Sequence, residues 1–157
     1  MKFKKPSDIF QYIKENKWFF VFLAGVIFLV YANILDNAFV SDDIAGILNN
    51  PERGKIFRSL RNLDLDQIFK DTIFVIFGPN VVPFHFMSII FHMFASFCVF
   101  FFIVVVTKKE RLAKFSSLLF ACHPIHTEAI SWISADPYIL YTIFFLISFF
   151  YYYFYNF

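Results

Sequence analysis

Four apolar stretches, separated by short charged segments, dominate the hydrophobic pattern of the chain. They cover residues 18–34, 83–106, 112–123 and 138–157, and the third is interrupted at Pro124. At ~1.5 Å per residue in a helix, three of these stretches, with 17 to 24 residues, approach or exceed the ~30 Å hydrocarbon core of a bilayer, and 112–123 is the start of another. The pattern therefore predicts an all-α integral membrane protein with about four transmembrane helices.

The remaining segments have a different periodicity. Residues 1–17 carry five Lys beside apolar positions, which predicts an amphipathic amino-terminal helix that begins near Pro6. The loop 35–80 contains seven acidic and five basic residues, and within it 56–77 has apolar residues at helical spacing. We expect one or two short amphipathic helices there, lying along the membrane surface.

Composition supports this picture. Hydrophobic residues make up 59% of the 157 residues and aromatic residues 24%, with 27 Phe. Soluble domains contain roughly 45–50% apolar residues. Cys98 and Cys122 both lie in or beside apolar stretches, so we interpret them as small hydrophobic residues rather than a disulfide.

The basic residues predict an orientation. Five Lys lie in 1–17, and four Lys or Arg lie in 107–114, between the second and third apolar stretches. The positive-inside rule places both segments in the cytoplasm. The loop 35–80 and the segment around Pro124 then lie on the extracytoplasmic side.

Two adjacent carboxylates, Asp42 and Asp43, follow the first apolar stretch closely. They fit a catalytic base, or a site for a metal or a sugar hydroxyl, because paired acids need a proton or a cation in apolar surroundings. They also fit a helix N-cap, since Ser41 and the two acids precede the apolar run from Ile44. The sequence leaves both interpretations open.

All four histidines are predicted at the same membrane face. His85 and His92 are seven residues apart and share a helix face, whereas His123 and His126 flank Pro124, with Glu128 close by. Ionisable groups at membrane depth are candidates for functional sites. Hydrogen bonding to an anion or sugar, metal ligation and a purely structural role all fit this spacing.

Three motifs occur in the order of one family. The segment LFACHPIHTEAI at 119–130, followed by WIS at 132–134, resembles a signature of the transmembrane and tetratricopeptide-repeat-containing O-mannosyltransferases and their bacterial relatives. FVSDD at 39–43 with NNP at 49–51 resembles the first-loop motif of that family. PFHFMSIIFH at 83–92 resembles the second-helix motif.

The resemblance implies a partial GT-C glycosyltransferase fold, divided into the amino-terminal segment 1–17 and a transmembrane domain 18–157. It implies transfer of a sugar, mannose in this family, from a polyprenyl-phosphate donor in the bilayer to an extracytoplasmic protein acceptor. No nucleic acid and no certain cofactor are implied, and a divalent metal is an alternative.

The site residues follow from the same resemblance. Asp42 and Asp43 become the candidates for the catalytic base. The candidates for binding the donor phosphate or substrate are His85, His92, His123, His126, Glu128, Arg58 and Arg61.

GT-C enzymes have more membrane spans than this chain, so we expect the chain to be the amino-terminal part of a longer protein and inactive by itself. A small non-catalytic membrane scaffold or assembly protein is the alternative from another functional class. An ion or metal conduit fits less well, because four histidines at one face do not form a path across a membrane.

Overall fold

The computed structural model describes residues 6–156, and these residues form helices and turns without a β-strand. Met1 to Lys5, which include part of the predicted basic amino terminus, and Phe157, at the end of the last apolar stretch, lie outside the described residues. The α-helices are α1 (Pro6–Glu15), α2 (Lys17–Tyr31), α3 (Ile56–Arg61), α4 (Leu65–Phe77), α5 (Val81–Thr107), α6 (Glu110–Cys122), α7 (Thr127–Ser131) and α8 (Asp136–Asn156).

Helix α5 is the centre of the bundle and packs against α2, α4, α6, α7 and α8. Its buried side chains alternate with exposed apolar side chains of the kind that face lipid. Phe86 and Phe94, for example, are 46% and 48% exposed. After α5 the chain turns and runs back beside it along α6. Helix α8 then runs in the same direction as α5. Lys114, early in α6, lies over the Phe19 ring at 5.4 Å, whereas Ala121, late in α6, accepts a hydrogen bond from His92.

Contacts at the two ends of α8 fix its direction. Near its start Asp136 accepts a hydrogen bond from Ser88 at 2.7 Å, and near its end Tyr153 accepts one from Lys108 at 3.0 Å. We call the end of the bundle that holds Asp43, Ser88, Ser134 and Asp136 the motif end, and the opposite end, around Lys108, the lysine end.

Three segments are long and apolar enough to cross a membrane: Lys17–Ile34, Val81–Thr107 and Ile133–Asn156. The third predicted span, 112–123, forms α6, which has 13 residues and a length of about 20 Å. This is shorter than a hydrocarbon core of ~30 Å. Pro124 explains the early end, because it cannot continue the α6 hydrogen-bond ladder and instead begins a 3₁₀ turn.

The predicted helices of the first loop are confirmed as α3 and α4. Asp64 caps α4 by accepting a hydrogen bond from Gln67 N at 3.1 Å, and Asn80 caps α5 in the same way through Val82 N. Helix α5 begins two residues before the predicted start at Pro83, because the Asn80 cap sets its first turn. Pro83 therefore lies within that turn, where the missing N–H costs little.

A small apolar cluster at the motif end joins four segments that are distant in sequence. It consists of Ile47, Ile73, Phe84 and Ile133, from the first loop, α4, α5 and the turn before α8. Three of the four are at most 1% exposed. This packing places the first-loop acids beside the turn that follows the His-Pro segment.

Candidate functional site

The two adjacent acids have opposite environments. Asp43 is 1% exposed, and its Oδ1 accepts hydrogen bonds from Ser134 N at 2.8 Å and from Ser134 Oγ at 2.5 Å. Its Oδ2 accepts a longer one from Val40 N at 3.3 Å. Asp42 is exposed, and its carboxylate has no hydrogen-bond partner among residues 6–156. The pair therefore consists of one fixed carboxylate and one available carboxylate.

The structure also decides the capping interpretation. Residues Ile44–Leu48 form one turn of π-helix, and Asp43 at its N-cap position makes no side-chain capping bond. The capping interpretation therefore gains no support from Asp43, because Ser134 donors hold its side chain instead. Single π-turns are rare and occur often at functional sites. The preceding Ser41 has a φ of 49°, which turns the backbone sharply before the acids.

The turn before α8 is anchored at each residue. Ile133 and Ala135 are buried, Ser134 binds Asp43, and Asp136 accepts the 2.7 Å hydrogen bond from Ser88 Oγ. Ser88 and Asp136 are 0% and 3% exposed, so this bond lies in the interior. Because buried carboxylates are costly unless hydrogen-bonded, these two serines make the buried acids tolerable and fix the turn.

A buried ion pair lies close to this turn. Lys70 donates to Asp66 Oδ2 at 2.8 Å within α4, and their side chains are only 6% and 12% exposed. Burial raises the pKa of the Asp66 carboxyl, and the neighbouring Lys70 ammonium opposes that rise. The motif end thus holds two buried acids, Asp43 and Asp136, and the largely covered Asp66, which pairs with Lys70.

His85 and His92 lie in the protein interior, 0% and 2% exposed. Each Nε2 is 3.1 Å from a carbonyl oxygen, that of Asn37 for His85 and that of Ala121 for His92. Because a carbonyl can only accept, both Nε2 atoms carry a proton. The rings thereby fasten α5 to the start of the first loop and to the end of α6, which favours a structural role for both.

The remaining histidines and Glu128 face outward. His123 and Glu128 are exposed, and His126 is half-buried beside the Phe120 ring. His123 Nδ1 accepts a hydrogen bond from Ile125 N at 3.2 Å, so its Nε2 is the donor that points away from the turn. Burial lowers the pKa of His126, and the nearby His123 lowers it further.

These three residues do not form a metal-ligand cluster. Within residues 6–156, no group of three or more His, Cys, Asp or Glu is arranged to hold a metal ion. Cys98 and Cys122 are free, as the sequence predicted. What the His-Pro segment offers is one outward histidine donor and one exposed carboxylate.

Arg58 and Arg61 lie on α3, and both are exposed. Arg58 pairs with Glu52 at 2.8 Å across the surface of the loop. Neither arginine lies in the set of contacts around Asp43. A proposed role in binding phosphate at that acid pair therefore gains no support from their placement.

Sequence reasoning missed the strongest polar contacts of the loop. Arg53 and Asp71 form a buried ion pair at 2.9 Å with side chains only 3% and 5% exposed. The hydrogen bonds of Ser134 to Asp43 and of Ser88 to Asp136 were also missed. The position of Asp136 before Pro137 could have indicated an acid at the start of a helix. Nothing in the sequence connects Ser134 to Asp43, because 91 residues separate them.

Comparison with known proteins gives three relatives. Over 150 residues the chain is 34% identical to the human protein "Protein O-mannosyl-transferase TMTC1", with 81% of the chain and 17% of that protein aligned. The mouse protein of the same name is 32% identical over 81% of the chain and 16% of its own length. Human "Protein O-mannosyl-transferase TMTC3" is 27% identical over 146 residues, again 81% of the chain and 16% of that protein.

The chain spans about one sixth of the length of these curated relatives. No protein-family model matches it, and no solved structure matches it. The relatives nevertheless align over about four fifths of the chain. Together with the three ordered motifs, this shows that the chain is a relative of the transmembrane and tetratricopeptide-repeat-containing O-mannosyltransferase family.

Proposed function

We propose that the chain forms the acid-bearing wall of a GT-C glycosyltransferase site. The reaction would move a mannosyl unit from a polyprenyl-phosphate donor to a hydroxyl group of an extracytoplasmic protein acceptor. The observation that carries the proposal is the difference between the two adjacent acids. Ser134 holds the Asp43 carboxylate, whereas the Asp42 carboxylate is exposed. The relatives, which are named O-mannosyltransferases, support this chemistry.

Asp42 is the general base in this proposal. Its carboxylate takes the proton of the acceptor hydroxyl as that oxygen attacks the anomeric carbon and the bond to the donor phosphate breaks. Asp43 does not exchange protons with substrate, because both Ser134 donors occupy its Oδ1. Its role is to hold the π-turn, and with it Asp42, at a fixed place at the motif end.

The donor phosphate is assigned to the outward side of the His-Pro segment. His123 Nε2 is an available donor there, and its N–H stabilises the negative charge that develops on the leaving phosphate. Arg58 and Arg61 are not assigned this role, because Arg58 is paired with Glu52 and neither arginine lies among the contacts around Asp43.

We propose the same orientation that the basic residues predict, with the lysine end in the cytoplasm and the motif end outside. An extracytoplasmic motif end agrees with an acceptor that is a translocated protein. It also places Asp42 near the outer interface, where the phosphate of a polyprenyl lipid would lie.

The test uses sugar transfer in membranes that contain the full-length protein. Labelled mannose on polyprenyl phosphate is the donor, and incorporation into protein is measured for Asp42→Asn, Asp43→Asn and Asp36→Asn. Asp36 is the matched control, because it is an exposed acid of the same loop. Loss of a general base lowers rates by roughly 10²–10⁴-fold, and we expect that loss for Asp42→Asn alone among exposed acids.

The variants also separate the two roles. Asp43→Asn should lower transfer together with the thermal stability of the loop, whereas Asp42→Asn should leave stability unchanged. Transfer by Asp42→Asn at the parental rate would refute the assignment of the base. An effect of Asp36→Asn as large as that of Asp42→Asn would show that the loop charge, rather than one carboxylate, matters.

A further inference from the structure

A polar cavity lies in the first loop, separate from the acid pair. It has a volume of about 430 Å³ and is bounded by Gly46 of the π-turn, by α3 and by the first half of α4. Every residue that lines it is charged, polar or Gly, and neither Asp42 nor Asp43 is among them. Its size is in the range of small-molecule pockets, about 300–1,000 Å³.

The floor of this cavity, which we call the loop pocket, is rigid and has its polar groups paired. Asp71 Oδ1 accepts from Arg53 Nη1 at 2.9 Å and from Gly54 N at 3.0 Å, and its Oδ2 accepts from Ser59 Oγ at 2.5 Å. Arg53 also donates to Gln67 Oε1 at 2.8 Å and to the Gly46 carbonyl. A floor fixed in this way is preorganised for a ligand.

The rim of the loop pocket has unused hydrogen-bonding capacity. Arg58 uses Nη1 for Glu52, which leaves its Nε and Nη2 groups for another partner. Asp64 uses Oδ1 for the helix cap, and its Oδ2 has no partner within the described residues. The side-chain amide of Asn62 makes no hydrogen bond to any residue among 6–156. Donors and acceptors therefore stand side by side around one opening.

The charges of the loop pocket argue against an anionic ligand. Three acids, Glu52, Asp64 and Asp71, line it together with two arginines, and each arginine is already paired with one of those acids. A phosphate would meet no unpaired cation there. The absence of apolar side chains from its lining argues equally against an acyl or prenyl chain.

A neutral ligand with several adjacent hydroxyl groups fits the remaining chemistry. Each hydroxyl both donates and accepts, as the combination of an arginine, an amide and a carboxylate oxygen requires. We propose that the loop pocket is a carbohydrate-binding subsite that takes one hexopyranosyl unit. This goes beyond the proposed transfer reaction, because the subsite binds sugar without Asp42 and its binding is measured without any transfer.

The experiment measures binding of methyl α-D-mannopyranoside to the full chain in lipid nanodiscs by saturation-transfer NMR. Arg58→Ala and Asn62→Ala should each weaken binding at least tenfold. Lys55→Ala is the matched control, since Lys55 also pairs with Glu52 and is 57% exposed against 58% for Arg58, yet does not line the pocket. Its affinity for the sugar should equal that of the parent chain.

Thermal melting of each variant checks that loss of binding is not loss of fold. Arg58→Lys, which keeps the charge but not the planar fork of donors, should bind weakly as well. The proposal is overturned if the parent chain shows no saturable sugar binding, or if Lys55→Ala weakens binding as much as Arg58→Ala. It is also overturned if inorganic phosphate competes with the sugar.

Discussion

At the scale of single residues, Asp42 and Asp43 show how two identical side chains acquire different chemistry from their surroundings. A buried carboxylate needs hydrogen bonds to compensate for lost hydration, and Asp43 finds them in Ser134. Asp42 remains hydrated and able to accept a proton. The positive φ of Ser41 turns the backbone ahead of both acids, and no local sequence pattern distinguishes the two carboxylates.

Replacement of Ser134 by Ala should destabilise the motif end. The substitution removes the Oγ donor from a carboxylate that is 1% exposed, at a cost of about 1–3 kcal/mol. Thermal unfolding in detergent measures the effect. Ser148→Ala is the control, because Ser148 is exposed and bonds only to the carbonyl of Phe144. Equal midpoints for the two variants would contradict a stabilising role for the Asp43–Ser134 contact.

The half-buried ring of His126 should titrate at lower pH than a free imidazole. Burial and the nearby His123 lower its pKa below the ordinary value of 6.5. The unfolded chain then binds more protons just below that pH, so stability is retained at neutral pH and lost as pH falls. His126→Gln should reduce this loss of stability as the pH falls below 6.5, the ordinary pKa of the imidazole.

NMR of ¹³C-labelled histidine gives the His126 midpoint directly. A midpoint at or above 6.5 would show that the ring is not desolvated in the folded protein.

At the scale of elements, the first loop is held by a buried ion pair rather than by an apolar core of its own. Arg53 joins the π-turn to α4 through the Gly46 carbonyl and Asp71, and Asp71 also binds the backbone at Gly54. Helices as short as α3 are not stable alone, so the ion pair supplies the order that packing does not.

Removing one partner of the Arg53–Asp71 ion pair should make the first loop unfold more readily than the helix bundle. Asp71→Ala leaves the Arg53 guanidinium buried without its carboxylate, at a cost of about 3–5 kcal/mol. Limited proteolysis within the loop should therefore accelerate strongly. Glu52→Gln is the control, since the Glu52–Arg58 pair is exposed and exposed ion pairs contribute little. Unchanged proteolysis of Asp71→Ala would contradict the account.

The local features of this fold could be predicted from the sequence, whereas its long-range contacts could not. Apolar stretches and helical spacing predicted the helices α2, α4, α5 and α8 well, because their information is local. The partners of Asp43, Ser88 and Arg53 could not be predicted, because each comes from the packing of distant segments. The shortness of α6 was visible in Pro124, yet the apolar composition before it suggested a full span.

At the scale of the whole molecule, the direction of each helix raises the question of how the chain crosses the membrane. Helices α5 and α8 both run from the motif end to the lysine end, so the chain must return along α6. A helix of 13 residues covers about 20 Å. Helix α6 is not among the three segments that are long and apolar enough to span a bilayer, so we propose its crossing on the direction of its neighbours alone.

Cysteine labelling from each side of the membrane tests this crossing. We expect Ile125→Cys, at an exposed position after α6, to react with an impermeant maleimide on intact cells, as Asp36→Cys does in the first loop. Lys109→Cys, immediately before α6, should react only after permeabilisation. Both native thiols are replaced in this background, because Cys122 is exposed and would react as well.

The pattern of labelling distinguishes crossing from orientation. If α6 crosses, positions 109 and 125 react from opposite sides whichever side is outside, because α5, α6 and α8 then form one antiparallel path. If both positions react from the same side, α6 is re-entrant, and α8 could not then start at the same membrane face as α5. Reaction of Lys109→Cys alone on intact cells would keep the crossing and reverse the proposed orientation, placing Asp42 in the cytoplasm, where a translocated acceptor cannot reach it.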